Sequence, residues 1–73
     1  MYKTKDFEQI VLLSYFNLEL KNYEKIGREV WFTFSNEDDC KKLMIDYFNG
    51  KLEVNPKVFI NVYNRMKGVV IGM

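Results

Sequence analysis

The stretch Val30-Trp31-Phe32-Thr33-Phe34 limits what this chain can become more than any other. Successive side chains of a strand point to opposite faces, so Val30, Phe32 and Phe34 share one side and Trp31 takes the other. A chain of 73 residues buries only about 60% of the surface its unfolded form exposes, which is enough for one core and hardly for two. Trp31 is therefore covered by a local helix, by a partner or by a ligand.

Length predicts a single domain over residues 1–73. Disulfides cannot add stability, because Cys40 is the sole cysteine, a usage that suits a reducing compartment. Eleven Lys and Arg against ten Asp and Glu leave a net charge of +1, short of the basic excess of a dedicated duplex-DNA binder. Histidine is absent, and with it the commonest general base and transition-metal ligand. The start Met1-Tyr2-Lys3-Thr4-Lys5-Asp6 lacks the apolar run of a signal peptide, and no apolar stretch approaches the ~20 residues of a membrane span. The expectation is a soluble cytoplasmic protein.

Thr4 is the predicted cap of a first helix running to about Asn17. Phe7, Ile10, Val11 and Ser14 take one side of it, and Leu12 and Phe16 the opposite side. A helix apolar nearly all round is sandwiched within the fold or used for association. Leu18 to Phe34 reads as a hairpin closed by Lys25-Ile26-Gly27, with Gly27 left-handed. That register sets Glu24 opposite Arg28, Asn22 opposite Val30, Leu20 opposite Phe32 and Leu18 opposite Phe34. Lys21, Tyr23 and Trp31 then share the other face. A two-residue Ile26-Gly27 turn would instead set Leu20 beside Trp31 and Tyr23 beside Val30.

Ser35-Asn36-Glu37-Asp38 starts a second helix in the manner of a capping box, with the stripe Cys40, Leu43, Met44, Tyr47 and Phe48. Gly50 suits its left-handed end. Lys51-Leu52-Glu53-Val54 is an extended link that can serve as a short third strand. Asn55-Pro56 opens a third helix with the stripe Val58, Phe59, Val62, Tyr63 and Met66, which Gly68 weakens or ends. The apolar tail Val69-Val70-Ile71 must dock on this fold or on another chain. The predicted architecture is an α+β domain of order α-β-β-α-α, a hairpin packed against three helices.

Catalytic chemistry finds little purchase. Glu37, Asp38 and Asp39 are the one acidic cluster, and acids at a helix N-terminus already serve the dipole. Cys40 begins an apolar stripe and has no histidine to activate it. Ser14, Thr33 and Ser35 have no base, and the scattered glycines form no phosphate loop. The reading is a non-enzyme without cofactor or metal.

Two surfaces can bind. On the ribbon, Lys21, Tyr23, Arg28 and Trp31 combine aromatic anchors with cations, as a protein interface or a single-stranded nucleic acid requires. Glu19, Glu24 and Glu29 interleave and cancel charge, and Lys21 opposite Trp31 also makes an ordinary cation–π pair. Lys57, Arg65 and Lys67 give the third helix a basic face, the alternative nucleic-acid surface; residues 51–73 carry a net +3. Leu12 and Phe16 are the expected self-association patch of a homodimer.

The chain also resembles a family of short uncharacterised domains, many encoded by phages and other mobile elements of bacteria and archaea. The matching residues are Tyr2-Lys3-Thr4-Lys5-Asp6, Val30-Trp31-Phe32-Thr33-Phe34, and Tyr47-Phe48-Asn49-Gly50-Lys51-Leu52 with Val54 and Pro56. The apolar Val69–Met73 tail departs from that pattern. The resemblance carries no activity and no functional residues. It implies only the setting, a phage or plasmid accessory factor in the host cytoplasm; that such a factor binds a macromolecule, protein before nucleic acid, is the expectation from the Trp31 surface. Inhibition of a host defence system is one version, resting on genomic analogy.

Overall fold

The computed structural model describes residues 1–72, with Met73, the end of the tail, outside the described residues. It places six elements in the order β1 (Tyr2–Thr4), α1 (Phe7–Tyr15), β2 (Leu20–Ile26), β3 (Glu29–Phe34), α2 (Glu37–Phe48) and α3 (Pro56–Ile71). The strands form one antiparallel sheet in the order β1-β3-β2, so the fold is α+β with an added first strand. That strand corrects the expectation that Thr4 caps α1. Thr4 is instead buried and pairs with Phe32, while Asp6 caps the helix, its carboxylate accepting from the Glu8 and Gln9 amides at 3.0 and 3.3 Å. The Gln9 amide oxygen accepts from both Tyr2 and Thr4 hydroxyls, at 2.7 and 3.1 Å, and so ties β1 to α1.

α1 stops two residues short of Asn17. Asn17 is left-handed (φ 62°), the Leu18 amide reaches the Leu13 carbonyl, and the Asn17 amide the Ser14 carbonyl, which together make a Schellman cap. Gly50 (φ 68°) closes α2 in the same way. Asn36, not Ser35, caps α2, from a left-handed backbone of φ 54°.

The hairpin adopts neither expected register. Its loop is Gly27-Arg28, and Gly27 (φ 63°) stands at the first loop position, where the tight turns matched to strand twist accept a positive φ. Ile26 pairs with Glu29, Lys25 with Val30, Glu24 with Trp31 and Tyr23 with Phe32. A bulge between Leu20 and Asn22 then returns Leu20 to the Phe34 side. Glu24 thus faces Trp31 rather than the expected Arg28, a displacement of three residues, and an odd displacement exchanges faces. Tyr23 and Lys25 therefore join Phe32, whereas Asn22, Glu24 and Ile26 join Trp31.

Phe32 and Phe34 are fully buried in one apolar cluster with Ile10, Val11, Leu12, Leu13, Cys40, Met44 and Met66. Residues 10–13 sweep about 300° around α1 at ~100° per residue, so their common burial means that α1 is enclosed. The sheet supplies one wall. α3 supplies another, through Phe7 edge-on to Tyr63 at 5.0 Å and the Ser14 hydroxyl donating to the Met66 sulfur at 3.4 Å. The third strand expected at residues 51–54 does not form; Leu52 and Val54 pack on the core from an extended segment. α3 runs through Gly68 to Ile71, and Val69 and Val70 dock on the chain's own core. Val58 and Phe48, expected in apolar stripes, are exposed at 48% and 72%. No helix among the described residues is long and apolar enough to cross a membrane.

Candidate functional site

Phe32 and Phe34 turn toward the helices, which obliges Trp31 and Thr33 to face away. Trp31 is half-buried and takes no part in the apolar cluster or in the layer packed against it. Its cover comes from two lysines. Lys3, the outward residue of β1, places its Nζ 5.8 Å from the ring centroid, and Lys5, just past the strand, places its Nζ at 5.7 Å. Cations over an indole face are attracted by its quadrupole. Lys3 also pairs with Glu24 at 3.2 Å, and Lys5 with Glu29. The result is an aromatic floor flanked by two neutralised cations, with β1 strapped over β3 toward β2. These pairs are about half exposed, so each contributes only ~0–1 kcal/mol. Lysines at positions 3 and 5 have the spacing of one strand face, a signal available once residues 2–4 are read as a strand.

The residues expected to act with Trp31 are separated by the register. Tyr23 lies on the helix-facing side, stacked on Phe32 at 5.4 Å and 22° yet 44% exposed, because the helices do not extend over β2. Glu24, not Lys21, faces Trp31. Lys21 falls at the bulge and pairs with Glu19 at 3.2 Å, and Arg28 is exposed in the loop. Lys21, Tyr23 and Arg28 thus follow the free edge of the sheet, and Trp31 occupies its open face.

Leu12 is only 6% exposed, which corrects its expected role in self-association; α1 spends that residue on the core. Phe16 is half-buried against it, edge-on to Tyr15 at 4.9 Å. Lys57, Arg65 and Lys67 are all exposed, but helical rotation of ~100° per residue spreads them over about 160°. They do not form one narrow stripe along the helix.

A cavity of about 420 Å³ opens between α1, α3 and the extended segment, walled by Leu12, Leu52, Val54, Phe59 and Tyr63. At its margin the Tyr47 hydroxyl donates to the Glu8 carboxylate, and this bond holds the phenol above its ordinary pKa. Glu37, Asp38 and Asp39 are exposed, and Asp39 engages the Asn36 cap. Burial pushes the Cys40 thiol up in pKa, which disfavours the thiolate a nucleophile needs.

This arrangement defines a small α+β domain with one sheet face left open around an indole. The family model described as Domain of unknown function (DUF5659) matches residues 1–72, and the chain belongs to that family. Comparison with curated proteins and with solved structures returns no match.

Proposed function

We propose that this chain is a small non-enzymatic binding protein that holds a protein partner against the open face of its sheet. The observation that carries the reading is Trp31: a large aromatic side chain outside the core, on the face no helix covers. Tryptophan is the residue type most enriched among energetic anchors of protein interfaces. The charge pattern supports a protein over a nucleic acid, because Lys3 and Lys5 beside the indole are already paired with Glu24 and Glu29. A phosphate backbone needs free cations to exchange for its counterions.

The setting in this reading is an accessory factor of a phage or plasmid, working in the host cytoplasm; inhibition of a host defence system is one form of such binding. The homodimer is part of the proposal too. With Leu12 buried, it must use another patch, and Ile45 and Phe48, one turn apart on α2 and exposed at 59% and 72%, supply one.

The test compares wild type with Trp31→Ala as bait in the native host, with mass spectrometry as the readout. Loss of an anchor tryptophan costs about 2 kcal/mol or more of binding, roughly 30-fold in affinity. Trp31→Ala should therefore lose partners that wild type retains, while circular dichroism shows an intact fold. An unchanged partner set would overturn the reading. So would a salt-sensitive oligonucleotide gel shift from wild type that Trp31→Ala abolishes.

A further inference from the structure

We infer that the free edge of β2 adds an extended, acidic segment of the partner protein as a fourth strand. This rests on the reading of the chain as a protein-binding module, and it names a second surface and the chemistry of what it takes. β3 is the central strand, so β2 has a neighbour on one side only. The two-residue loop makes Ile26 and Glu29 a hydrogen-bonded pair, and such pairs alternate along an antiparallel ladder. Ile26, Glu24 and Asn22 therefore spend their backbone groups on β3. Tyr23 and Lys25 turn theirs outward, and among the described residues no backbone bond outside the ladder engages them. All of β2 from Lys21 onward is exposed.

An open edge of this kind is a template for another strand. The side chains along it select which. Lys21 and Lys25 flank Tyr23, Arg28 follows in the loop, and among the described residues neither Lys25 nor Arg28 has a carboxylate partner. Pairing two copies of β2 about Tyr23 would set Lys21 against Lys25 of the second copy, and moving by one pair would set Glu24 against Glu24. Like charges directly opposite are destabilising. An incoming strand with carboxylates at alternate positions meets Lys25 favourably and competes with Glu19 for Lys21, and its side chain opposite Tyr23 rests on the Tyr23–Phe32 stack.

The probe is a short N-acetylated, C-amidated peptide alternating glutamate and valine, titrated into isotope-labelled protein. A lysine–valine peptide and oligothymidylate are titrated in parallel. The acidic peptide is expected to shift the Lys21–Ile26 amides and to slow hydrogen exchange at Tyr23 and Lys25, and the basic peptide to do neither. Lys25→Glu with Arg28→Glu, both exposed sites, should weaken binding by about tenfold or more. Lys25→Pro, which removes an outward N–H and leaves the ladder to β3 alone, should abolish it. Equal binding of both peptides, full binding by these variants, or equal protection by oligothymidylate would overturn the inference. Shifts confined to Lys3, Trp31 and Thr33 would also overturn it and leave the open-face reading standing, because Trp31→Ala tests that reading separately.

Discussion

Asn36 does two jobs that few residues combine. Its backbone is left-handed at φ 54°, and its side-chain oxygen accepts from the Asp39 amide at 3.3 Å. Asparagine tolerates that conformation better than other non-glycine residues and is also a preferred cap. Asn36→Ala loses both properties and should cost about 2 kcal/mol, whereas Asn36→Gly keeps the backbone and should cost clearly less. Thermal denaturation of the two variants checks the order. Tyr47 bears on pH. Its hydrogen bond to Glu8 raises the folded-state pKa above 10.0, so the folded protein holds that proton more tightly than the unfolded chain. The stabilisation is complete below pH 10.0 and is lost as pH rises through the raised value. The midpoint of unfolding should fall over that alkaline range, and Tyr47→Phe should fall less steeply, as melting curves at stepped pH would show. The sequence displays the Asn55 cap plainly, but offers Thr4 beside Asp6 and Ser35 beside Asn36 as equal capping types. It does not show that Glu8 and Tyr47, separated by most of the chain, will meet.

Among the elements, α3 offers the cleanest prediction. Gly68 lies inside the helix without a positive φ, and a Cβ there meets nothing within 4 Å. Gly68→Ala should stabilise by about 0.5–1 kcal/mol, through helix propensity and a less flexible unfolded chain. For a domain this size that is a rise of roughly 2–8 °C in Tm by calorimetry. Phe32→Ala should do the opposite, costing about 3–5 kcal/mol, because a fully buried ring at the centre of the sheet leaves a cavity behind. The helices were legible from their stripes, although α3 runs through the expected stop at Gly68, and the hairpin from its alternation. Its register was not, because both faces of β2 mix apolar and charged residues and so give the pairing little to discriminate. β1 is not legible in the sequence because three residues ending in the helix-capping type Thr4 read equally well as the approach to α1; only the Gln9 bonds and the pairing with β3 decide it.

For the whole molecule, the fold leaves Trp31 outside the core, on the open face of the sheet. Trp31→Ala loses two cation–π contacts and the burial of a half-buried ring but leaves no cavity in the core, so it should cost less than Phe32→Ala and stay folded. Light scattering at high micromolar concentration should show a dimer that Phe48→Asp returns to monomer. By itself the sequence determined which residues are apolar and how they are spaced. From this follow the three helices, the hairpin strands and the opposite orientations of Phe32 and Trp31, all of which local periodicity dictates; that α1 is enclosed and that β3 is central do not follow from it. Only the tertiary structure decided which strands flank β3, which cations cover the indole, and that Tyr23 and Trp31 lie on different faces. Those outcomes depend on the register of the hairpin and on contacts between residues far apart in the chain, where the energy differences are small and no local pattern records them.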